Sequence, residues 1–210
     1  MLVKDALEIC GELSSTDKMP GWSYSLPPSS CRMGGLLRKV SQSVCSRCYA
    51  CKGRYRFRHC IAALKKRLEA IEHPLWGEAM TVLLHSKFRL SPYFRWHDSG
   101  DLQGLRHLVN IADVCWQTPR MRHWLPTKEY DVVRVFLKHH KLPPNLTIRC
   151  SAYFIDQMPF DAPTPQISTV TTKRIFEEAH ECLAVLEHHS CGDCRACWSR
   201  KVAHINYRVH

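Results

Sequence analysis

The chain alternates short apolar segments with longer segments in which apolar residues recur at helical spacing. The short segments are rich in β-branched and aromatic residues and are bounded by Pro, Gly, Asp or Ser, which is typical of β-strands. They occupy residues 21–26, 93–97, 123–128, 145–154 and 166–172. The helical segments between them occupy residues 59–71, 75–85, 102–116 and 129–140. Because helices between strands act as crossover connections, this order predicts an α/β fold with a mainly parallel sheet, open or curled into a partial (β/α) barrel.

The length of the chain favours one compact domain. Its 210 residues are enough to bury a hydrophobic core without disulfide bonds. The alternating segments predict a β/α partial-barrel domain over residues 1–175, with a basic, cysteine-rich loop at residues 27–58 after the first strand. Residues 176–210 are rich in Cys and His, and we interpret them as a C-terminal metal-binding segment that packs on this domain.

The cysteine-rich loop has the spacing of a metal centre. Cys45, Cys48 and Cys51 are separated by two residues each, and Cys31 precedes them. Two intervening residues allow successive thiolates to converge on one centre. If all four thiolates bind, the centre is saturated; if three bind, one iron of a cluster stays open to a small ligand. The spacing leaves both alternatives open.

The C-terminal segment repeats this spacing. It carries four candidate thiolate ligands: Cys182, Cys191, Cys194 and Cys197. Four thiolates suit a tetrahedral zinc ion and an iron–sulfur cluster alike, so the spacing does not choose between them. His188 and His189 lie between these cysteines in the chain and are an additional source of ligands.

The number and placement of the cysteines indicate a reducing compartment. Twelve cysteines in a chain without an apolar signal segment more often bind metal than form disulfides. No stretch approaches the roughly 20 apolar residues of a membrane span. We therefore expect a cytoplasmic protein that does not contact membrane. Four cysteines in helical or strand-like segments are interpreted as core thiols: Cys10, Cys60, Cys115 and Cys150.

The cysteine-rich loop is also the most basic part of the chain. Lys and Arg outnumber Asp and Glu by 30 to 19, and no acidic residue lies between Asp17 and Glu69. A basic stretch with interleaved aromatic residues is typical of nucleic-acid contacts. The candidate contacts are Arg38, Lys39, Arg54, Arg56 and Arg58. Two alternatives need no nucleic acid: a solvated helix face, or cationic side chains drawn towards a negatively charged thiolate cluster.

Polar residues follow the strand-like segments, where a ligand site is expected. In open parallel sheets ligands bind at the carboxyl ends of the strands. Three side chains at such positions are candidate catalytic residues: Asp101, Lys128 and Arg149. An acid there can bind an ammonium group, and the two cations suit a carboxylate or a phosphate. Alternatively, Asp98 or Ser99 caps the helix that follows the sequence HDSGD.

Six motifs give the chain a family resemblance. In order from Lys18 they are KMPGWSYSLPPSSC, VCSRCYACKGRYRF, FRWHDSGDL, WLPTKE, IRCSAYFID and CGDCRACW. They resemble the phage gene product eighty-eight family, which also occurs on plasmids. The resemblance implies metal-binding cysteines at Cys31, Cys45, Cys48, Cys182, Cys191, Cys194 and Cys197. An aliphatic residue is usual in the family at Cys51, so we expect three ligands at the first centre and Cys51 pointing away from it.

The layout is also similar to that of radical S-adenosylmethionine enzymes, which have a three-cysteine loop after the first strand. In those enzymes the open iron of a [4Fe–4S] cluster binds the amino and carboxylate groups of the cofactor, and residues after the second strand hold the amino group. The resemblance assigns this cofactor-binding role to Gly100 and Asp101. The gap from Cys31 to Cys45 is much wider than the corresponding gap in those enzymes.

These patterns support two functions. The first is an iron–sulfur enzyme of phage type, similar to radical S-adenosylmethionine enzymes and acting on nucleic acid, with a second cluster or a zinc ion at the C-terminal centre. The second is a non-catalytic, metal-stapled basic protein that binds nucleic acid or a host protein in host takeover or anti-defence. The open iron favours the enzyme. The chain is shorter than the roughly 250 residues of a full barrel, which favours the binding protein. Both functions place the protein in the bacterial host cytosol.

Overall fold

The computed structural model describes residues 1–16, 18–172, 176–185 and 190–209. Six α-helices lie in these residues: α1 (Val3–Cys10), α2 (Arg32–Leu37), α3 (Arg58–Ala70), α4 (Trp76–Lys87), α5 (Leu105–Gln117) and α6 (Tyr130–His139). Pro74 lies between α3 and α4, where the missing N–H and the ring of proline separate the two helices. No helix in the described ranges is long and apolar enough to cross a membrane.

A single sheet runs through the described part of the chain. Its eight strands are β1 (Ser14–Ser15), β2 (Trp22–Tyr24), β3 (Tyr93–Trp96), β4 (Arg122–Thr127), β5 (Leu146–Ser151), β6 (Ile167–Thr171), β7 (His180–Glu181) and β8 (His204–Arg208). Their order is β1-β2-β3-β4-β5-β6-β8-β7. β1 and β2 are antiparallel, and all other neighbours are parallel. The predicted α/β fold with a mainly parallel sheet is confirmed, and the sheet is open, with β1 and β7 at its edges.

One face of the sheet packs against the helices and forms the main core. β2 to β6 follow one another in chain order, and α4, α5 and α6 lie in the connections between them and share one core with the strands. The strands contribute buried Tyr24, Phe94, Trp96, Leu125 and Ile148 to this core. The helices contribute buried Met80, Leu84, Leu108, Ile111 and Phe136. Because these strands are parallel, their carboxyl ends lie along one edge of the molecule.

The opposite face of the sheet is covered by the C-terminal segment. The Trp198 indole nitrogen donates a hydrogen bond of 2.9 Å to the Phe94 carbonyl, and the Thr147 hydroxyl donates one of 3.0 Å to the Trp198 carbonyl. A second buried cluster forms there from Trp124, Ala196, Cys197, Trp198 and Ile205. The segment also inserts β8 between β6 and β7, so it is built into the sheet itself.

Arg149 in β5 points to this second face. Its side chain is fully buried, and its two terminal nitrogens donate hydrogen bonds of 3.0 to 3.4 Å to backbone carbonyls. The acceptors are Ile167, Ala196, Ser199, Val202 and Ala203. This is not the rim position that we predicted for Arg149. Side chains alternate between the two faces of a strand, and the Arg149 side chain lies on the face that the C-terminal segment covers. Its hydrogen bonds hold that segment in place.

Candidate metal centres

The loops that follow β2, β3 and β4 meet at the carboxyl edge of the sheet. The Leu26 N–H donates to the Ser99 carbonyl and the Ser99 hydroxyl donates to the Leu26 carbonyl, both at 2.9 Å. The Thr127 hydroxyl donates a hydrogen bond of 2.6 Å to the Asp101 carboxylate. Three sequence motifs that are far apart in the chain therefore share one rim.

The cysteine-rich loop is anchored to this rim by its backbone. The Met33 N–H donates a hydrogen bond of 2.8 Å to the carboxylate of buried Glu129, which lies two residues after the end of β4 and immediately before α6. The Val44 N–H donates to the Tyr153 carbonyl at 2.9 Å. The loop itself consists of α2 and short 3-10 turns. Glu129 was not predicted as a functional residue, although its place after a strand was a signal that pointed to the rim.

Cys31, Cys45 and Cys48 converge inside the loop. A Cβ placed at Gly34 lies 3.6 Å from the Cys31 sulfur and 3.6 Å from the Cys45 sulfur, so the two sulfurs lie no further apart than twice that distance. Burial raises the pKa of Cys31 to about 12, and the negative charges of Asp101, Cys48 and Cys45 add to the shift. Burial also raises the pKa of Cys45. The loop thus gathers thiols that disfavour one another's ionisation.

This environment suits a thiolate-bound metal. A bound cation removes the penalty on neighbouring thiolates, and an all-sulfur donor set suits zinc or an iron–sulfur cluster. In the part of the chain that the structure describes, no three His, Cys, Asp or Glu side chains are arranged to hold one metal ion. Sulfurs on a single zinc ion lie about 3.8 Å apart, because each bond is about 2.3 Å, whereas a cluster of several irons spreads its thiolates more widely. The loop therefore brings thiols together without forming a single-ion site.

Cys51 lies beside Cys48. Burial raises the pKa of Cys51, and the charge of Cys48 and a hydrogen bond with it raise it further. The turn Tyr49–Cys51 brings the chain back, and the Cys51 N–H donates to the Cys48 carbonyl at 3.2 Å. That Cys51 points away from the first centre stays a prediction. Whether three or four thiolates bind stays a prediction.

Asp101 lies at the rim, where it connects two strands. Its carboxylate accepts hydrogen bonds from the Thr127 hydroxyl at 2.6 Å, the Leu102 N–H at 2.8 Å and the Lys128 N–H at 2.9 Å. Burial raises the pKa of Asp101, and these hydrogen bonds oppose the shift. A carboxylate offers about four acceptor positions, so Asp101 keeps about one for a ligand.

Gly100 allows the loops after β2 and β3 to touch. Its φ angle is +81°, and a Cβ there would lie 2.6 Å from the Leu26 Cβ and 2.8 Å from the Leu26 carbonyl oxygen. Only glycine fits such a contact without moving the backbone. Close packing against Leu26 thus explains why residue 100 is glycine, independently of the predicted cofactor contact.

Lys128 is a cation that acts on the Cys45 thiol. Its charge lowers the pKa of Cys45, although burial has the larger, opposite effect. No ion pair within the described ranges involves Lys128. Its ammonium group can therefore contact an anionic ligand at the first centre, a role that Arg149 on the other face cannot share.

The turn after β3 does not cap the next helix. α5 begins at Leu105, and its first turn is preceded by Gly104 without a side-chain cap, so the capping alternative for Asp98 or Ser99 is wrong. Instead, the Asp98 carboxylate accepts a hydrogen bond of 3.1 Å from the Tyr55 hydroxyl, and its carbonyl accepts one from the Tyr49 hydroxyl. Tyr49 and Tyr55, two of the aromatic residues interleaved in the basic stretch, thus fasten the cysteine-rich loop to the rim.

The candidate nucleic-acid contacts divide into two kinds. Arg38 is half-buried within the loop, donates a hydrogen bond of 2.8 Å to the Pro28 carbonyl, and lowers the pKa of Cys31 against the larger effect of burial. The others are exposed: Lys39, Arg54, Arg56 and Arg58. Among the described residues none of these four has an ion pair. They form a basic surface that is open to an anionic partner.

The C-terminal cysteines form a second group. Burial raises the pKa values of Cys182 and Cys191, and the charge of Cys194 adds to both shifts. The exposed Cys194 sulfur lies 3.3 Å from the His180 Nε2 atom, a contact that we did not predict from the sequence. The Cys197 sulfur is buried and lies 3.2 Å from the Tyr207 hydroxyl.

Other predicted positions have simpler outcomes. Cys10, Cys115 and Cys150 are fully buried, as expected of core thiols, whereas Cys60 is partly exposed. His188 and His189 lie outside the described residues.

Comparison with known proteins agrees with the resemblance of the six motifs. No curated protein and no solved structure matches the chain. The model of the Gene product 88 family matches residues 4–204, which includes both cysteine groups and all the rim motifs. The chain therefore belongs to the Gene product 88 family.

Proposed function

We propose that this protein binds a [4Fe–4S] cluster through Cys31, Cys45 and Cys48 and acts as a radical S-adenosylmethionine-like enzyme on nucleic acid. The observation that carries the proposal is the convergence of these three thiols at the carboxyl edge of a parallel sheet. Ligand sites of open α/β sheets lie at this edge. Lys128 and Asp101 lie beside the thiols, so a charged cofactor has partners there.

The fold and the location complete the proposal. The open sheet is a partial (β/α) barrel, and residues 176–210 are a metal-binding segment on its inner face. Strands in chain order from β2 to β6, with the cysteine-rich loop after β2, support this layout. Free thiols at all twelve cysteine positions, which form no disulfide, support function in the reducing host cytosol.

The chain's own residues have distinct roles in this proposal. A cluster held by Cys31, Cys45 and Cys48, once reduced by an external electron donor, would supply one electron to a bound cofactor. Gly100 and the remaining acceptor position of Asp101 bind the cofactor's amino group, and Lys128 binds its carboxylate. Arg149 contributes no contact, because its terminal nitrogens are bonded to backbone carbonyls on the opposite face.

Anaerobic purification of the full chain tests the proposal. We expect about four iron and four sulfide per cluster, a broad visible absorption band, and a change in the electron paramagnetic resonance spectrum of the reduced protein when S-adenosylmethionine is added. Cys48→Ala should remove the iron. Cys60→Ala is the matched control and should retain it, because Cys60 lies in α3 outside the cysteine-rich loop. Zinc without iron in the parent protein would contradict the proposal.

A second candidate function rests on the exposed basic surface. Lys39, Arg54, Arg56 and Arg58 are exposed together with Phe57, whose ring is 53% accessible and available for stacking on a base. Such a surface supports a non-catalytic protein that binds single-stranded nucleic acid.

Salt dependence tests this second function. Each neutralised phosphate releases counterions, so affinity for a single-stranded oligonucleotide should fall steeply between low and physiological salt. Arg54→Gln with Arg56→Gln should reduce the salt slope by about one to two units. Arg134→Gln serves as the control, since Arg134 is already paired with Asp131 and Asp161. Binding that does not respond to salt would contradict the function.

A further inference from the structure

An open cleft lies at the amino edge of the sheet, opposite the rim that carries the cysteine-rich loop. It is found where α4 and α5 end and where β4 and β5 begin, and its volume is about 420 Å³. The lining residues are Phe88, Pro119, Arg120, Arg122, Pro144 and Asn145. Ligand clefts commonly have volumes of about 300–1,000 Å³, so this cleft has room for one small group.

Two guanidinium groups of the cleft have no anionic partner. Arg120 and Arg122 are exposed, and among the described residues neither guanidinium has an ion pair or a hydrogen bond. The segments that build the cleft contain no Asp or Glu: residues 79–97, 114–128 and 140–155. Both arginines also lie beyond the last turn of α5, where a cation would stabilise the helix end. The cleft therefore presents two free arginine forks, which suit phosphate oxygens.

Aromatic rings lie beside these cations. The Arg120 guanidinium carbon is 4.1 Å from the centre of the Phe88 ring, and the Lys87 ammonium nitrogen is 4.5 Å from the centre of the Trp22 ring system. Nucleic-acid bases stack on aromatic rings and on guanidinium planes. A lone phosphate would make no use of a ring and two prolines in the lining. A nucleotide, which joins a phosphate to a planar base, uses both the cations and the apolar lining.

Asn145 adds a hydrogen-bond acceptor to the lining. Its amide nitrogen donates hydrogen bonds of 2.9 to 3.2 Å to the carbonyls of Cys115, Thr118 and Met121, which fix the side chain. Its Oδ1 atom is buried and has no hydrogen-bond partner among the described residues. An unpaired buried acceptor is costly, and the amino group of a base in the cleft can supply the missing donor.

We propose that the amino edge of the sheet binds single-stranded nucleic acid, with one nucleotide in the cleft, its phosphate on Arg120 and Arg122 and its base on Phe88. A strand is favoured over a free nucleotide because Lys87 and exposed Arg89 continue the positive charge on either side of Phe88. The inference rests on the proposed role in nucleic-acid binding and adds a second surface to that of the cysteine-rich loop. The six residues of β4 separate the two edges by roughly 20 Å.

Binding of a fluorescent single-stranded oligonucleotide of about 15 nucleotides to the full chain tests this surface. Arg120→Gln with Arg122→Gln should reduce the slope of log affinity against log salt by about 1.4 units, because each phosphate contact on a single strand contributes about 0.7. Arg106→Gln with Arg134→Gln is the matched control. It removes two charges elsewhere and should keep the slope, since both arginines already pair with carboxylates. Phe88→Leu keeps an apolar side chain but removes the ring, and it should weaken binding by about 5- to 140-fold.

Photo-crosslinking identifies the contact directly. An oligonucleotide that carries iodouracil should cross-link to the peptide that contains Phe88, and this adduct should be lost when Arg120 and Arg122 are replaced by Gln. The iron content of the first centre should be the same in the parent and in this variant.

The remaining outcomes overturn the inference in distinguishable ways. An unchanged salt slope in the Arg120→Gln/Arg122→Gln variant, with cross-links only at residues 47–58, overturns it and leaves the surface of the cysteine-rich loop as the binding site. An equal loss of slope in the control variant also overturns it, because net charge alone would then explain the effect. Complete displacement of the Phe88 cross-link by a free nucleoside monophosphate at equal concentration would replace the strand with a free nucleotide. No binding by the parent chain at low salt overturns both the inference and the proposed role in nucleic-acid binding.

Discussion

The Met33 N–H donates a 2.8 Å hydrogen bond to the Glu129 carboxylate across 96 residues of sequence. This bond ties the start of the cysteine-rich loop to the residue immediately before α6. Glu129→Ala should therefore loosen the loop and lower the iron content of the first centre, whereas Glu129→Gln, which keeps an acceptor oxygen, should retain more of it. Iron per chain after anaerobic reconstitution checks this order. Equal iron in the parent and Glu129→Ala would show that the bond does not position the centre.

Cys48 and Cys51 provide a matched pair for counting ligands. If three thiolates bind, Cys51→Ala should retain iron and its spectral response to S-adenosylmethionine, whereas Cys48→Ala should lose both and destabilise the loop. Iron analysis and the absorption spectrum of both variants decide the count. Similar iron losses in the two variants would mean four protein ligands, and the non-catalytic binding protein would then be the better interpretation.

Gly100 and Gly35 test the packing of the rim. Gly100→Ala forces a Cβ against Leu26 at a φ angle of +81°, and it should cost about 2–4 kcal/mol of unfolding free energy from overpacking and backbone strain. Gly35→Ala is the control, because no heavy atom lies within 4 Å of its added Cβ. Chemical denaturation of the metal-free proteins measures both. Equal stability of the two variants would mean that the loops after β2 and β3 separate at little cost.

The raised pKa of the Cys31 thiol should make the stability of the metal-free protein depend on pH. Its pKa is raised by burial from 9.0 to about 12, so between these values the unfolded chain releases a proton that the folded chain retains. The free energy of unfolding should therefore fall as pH rises from about 9 towards 12. Cys31→Ala should remove part of this slope. Denaturation midpoints at several pH values measure it, and a slope that is the same in both proteins would contradict the assignment.

The affinity of the first centre for metal should rise with pH, whereas the stability of the metal-free protein should fall. The thiols of Cys31 and Cys45 have raised pKa values and stay protonated at neutral pH without metal, so binding must displace both protons. Apparent affinity should rise by at least about a hundredfold per pH unit, because these two thiols alone release two protons. Competition titrations between pH 6 and about 8 measure this slope. A flat profile would mean that the thiols are not the ligands.

Sequence periodicity was sufficient to predict the helices and strands that have one buried and one polar face. All five predicted strands are present, and in β3 the buried Phe94 and Trp96 alternate with partly exposed neighbours in the way that a half-covered strand requires. β8 was not predicted, although its sequence alternates polar and apolar residues. Its polar His204 and Asn206 are buried because both form hydrogen bonds with Thr169 in β6, a pairing that the sequence does not reveal.

The sequence was enough to predict which residues lie at the rim, but not which hydrogen bonds they form. Strand ends in a parallel sheet converge, so the placement of Asp101 and Lys128 follows from the fold class. That Asp101 accepts three hydrogen bonds, and that Arg149 turns to the other face, depends on partners up to 54 residues away in the chain. His180 was missed for the same reason, since its proximity to Cys194 arises from the pairing of β7 with β8 and not from a local motif.

The insertion of β8 between β6 and β7 has a consequence for biosynthesis. During translation, the sheet can assemble in sequence only as far as β6, and β7 has no neighbour until residues 204–208 leave the ribosome. Until then the Arg149 guanidinium lacks four of its five carbonyl partners, which all lie between residues 196 and 203. β8, which is synthesised after β7, thus joins β7 to the sheet, and a nascent chain stalled before it would expose a charged, unpaired surface to chaperones and proteases.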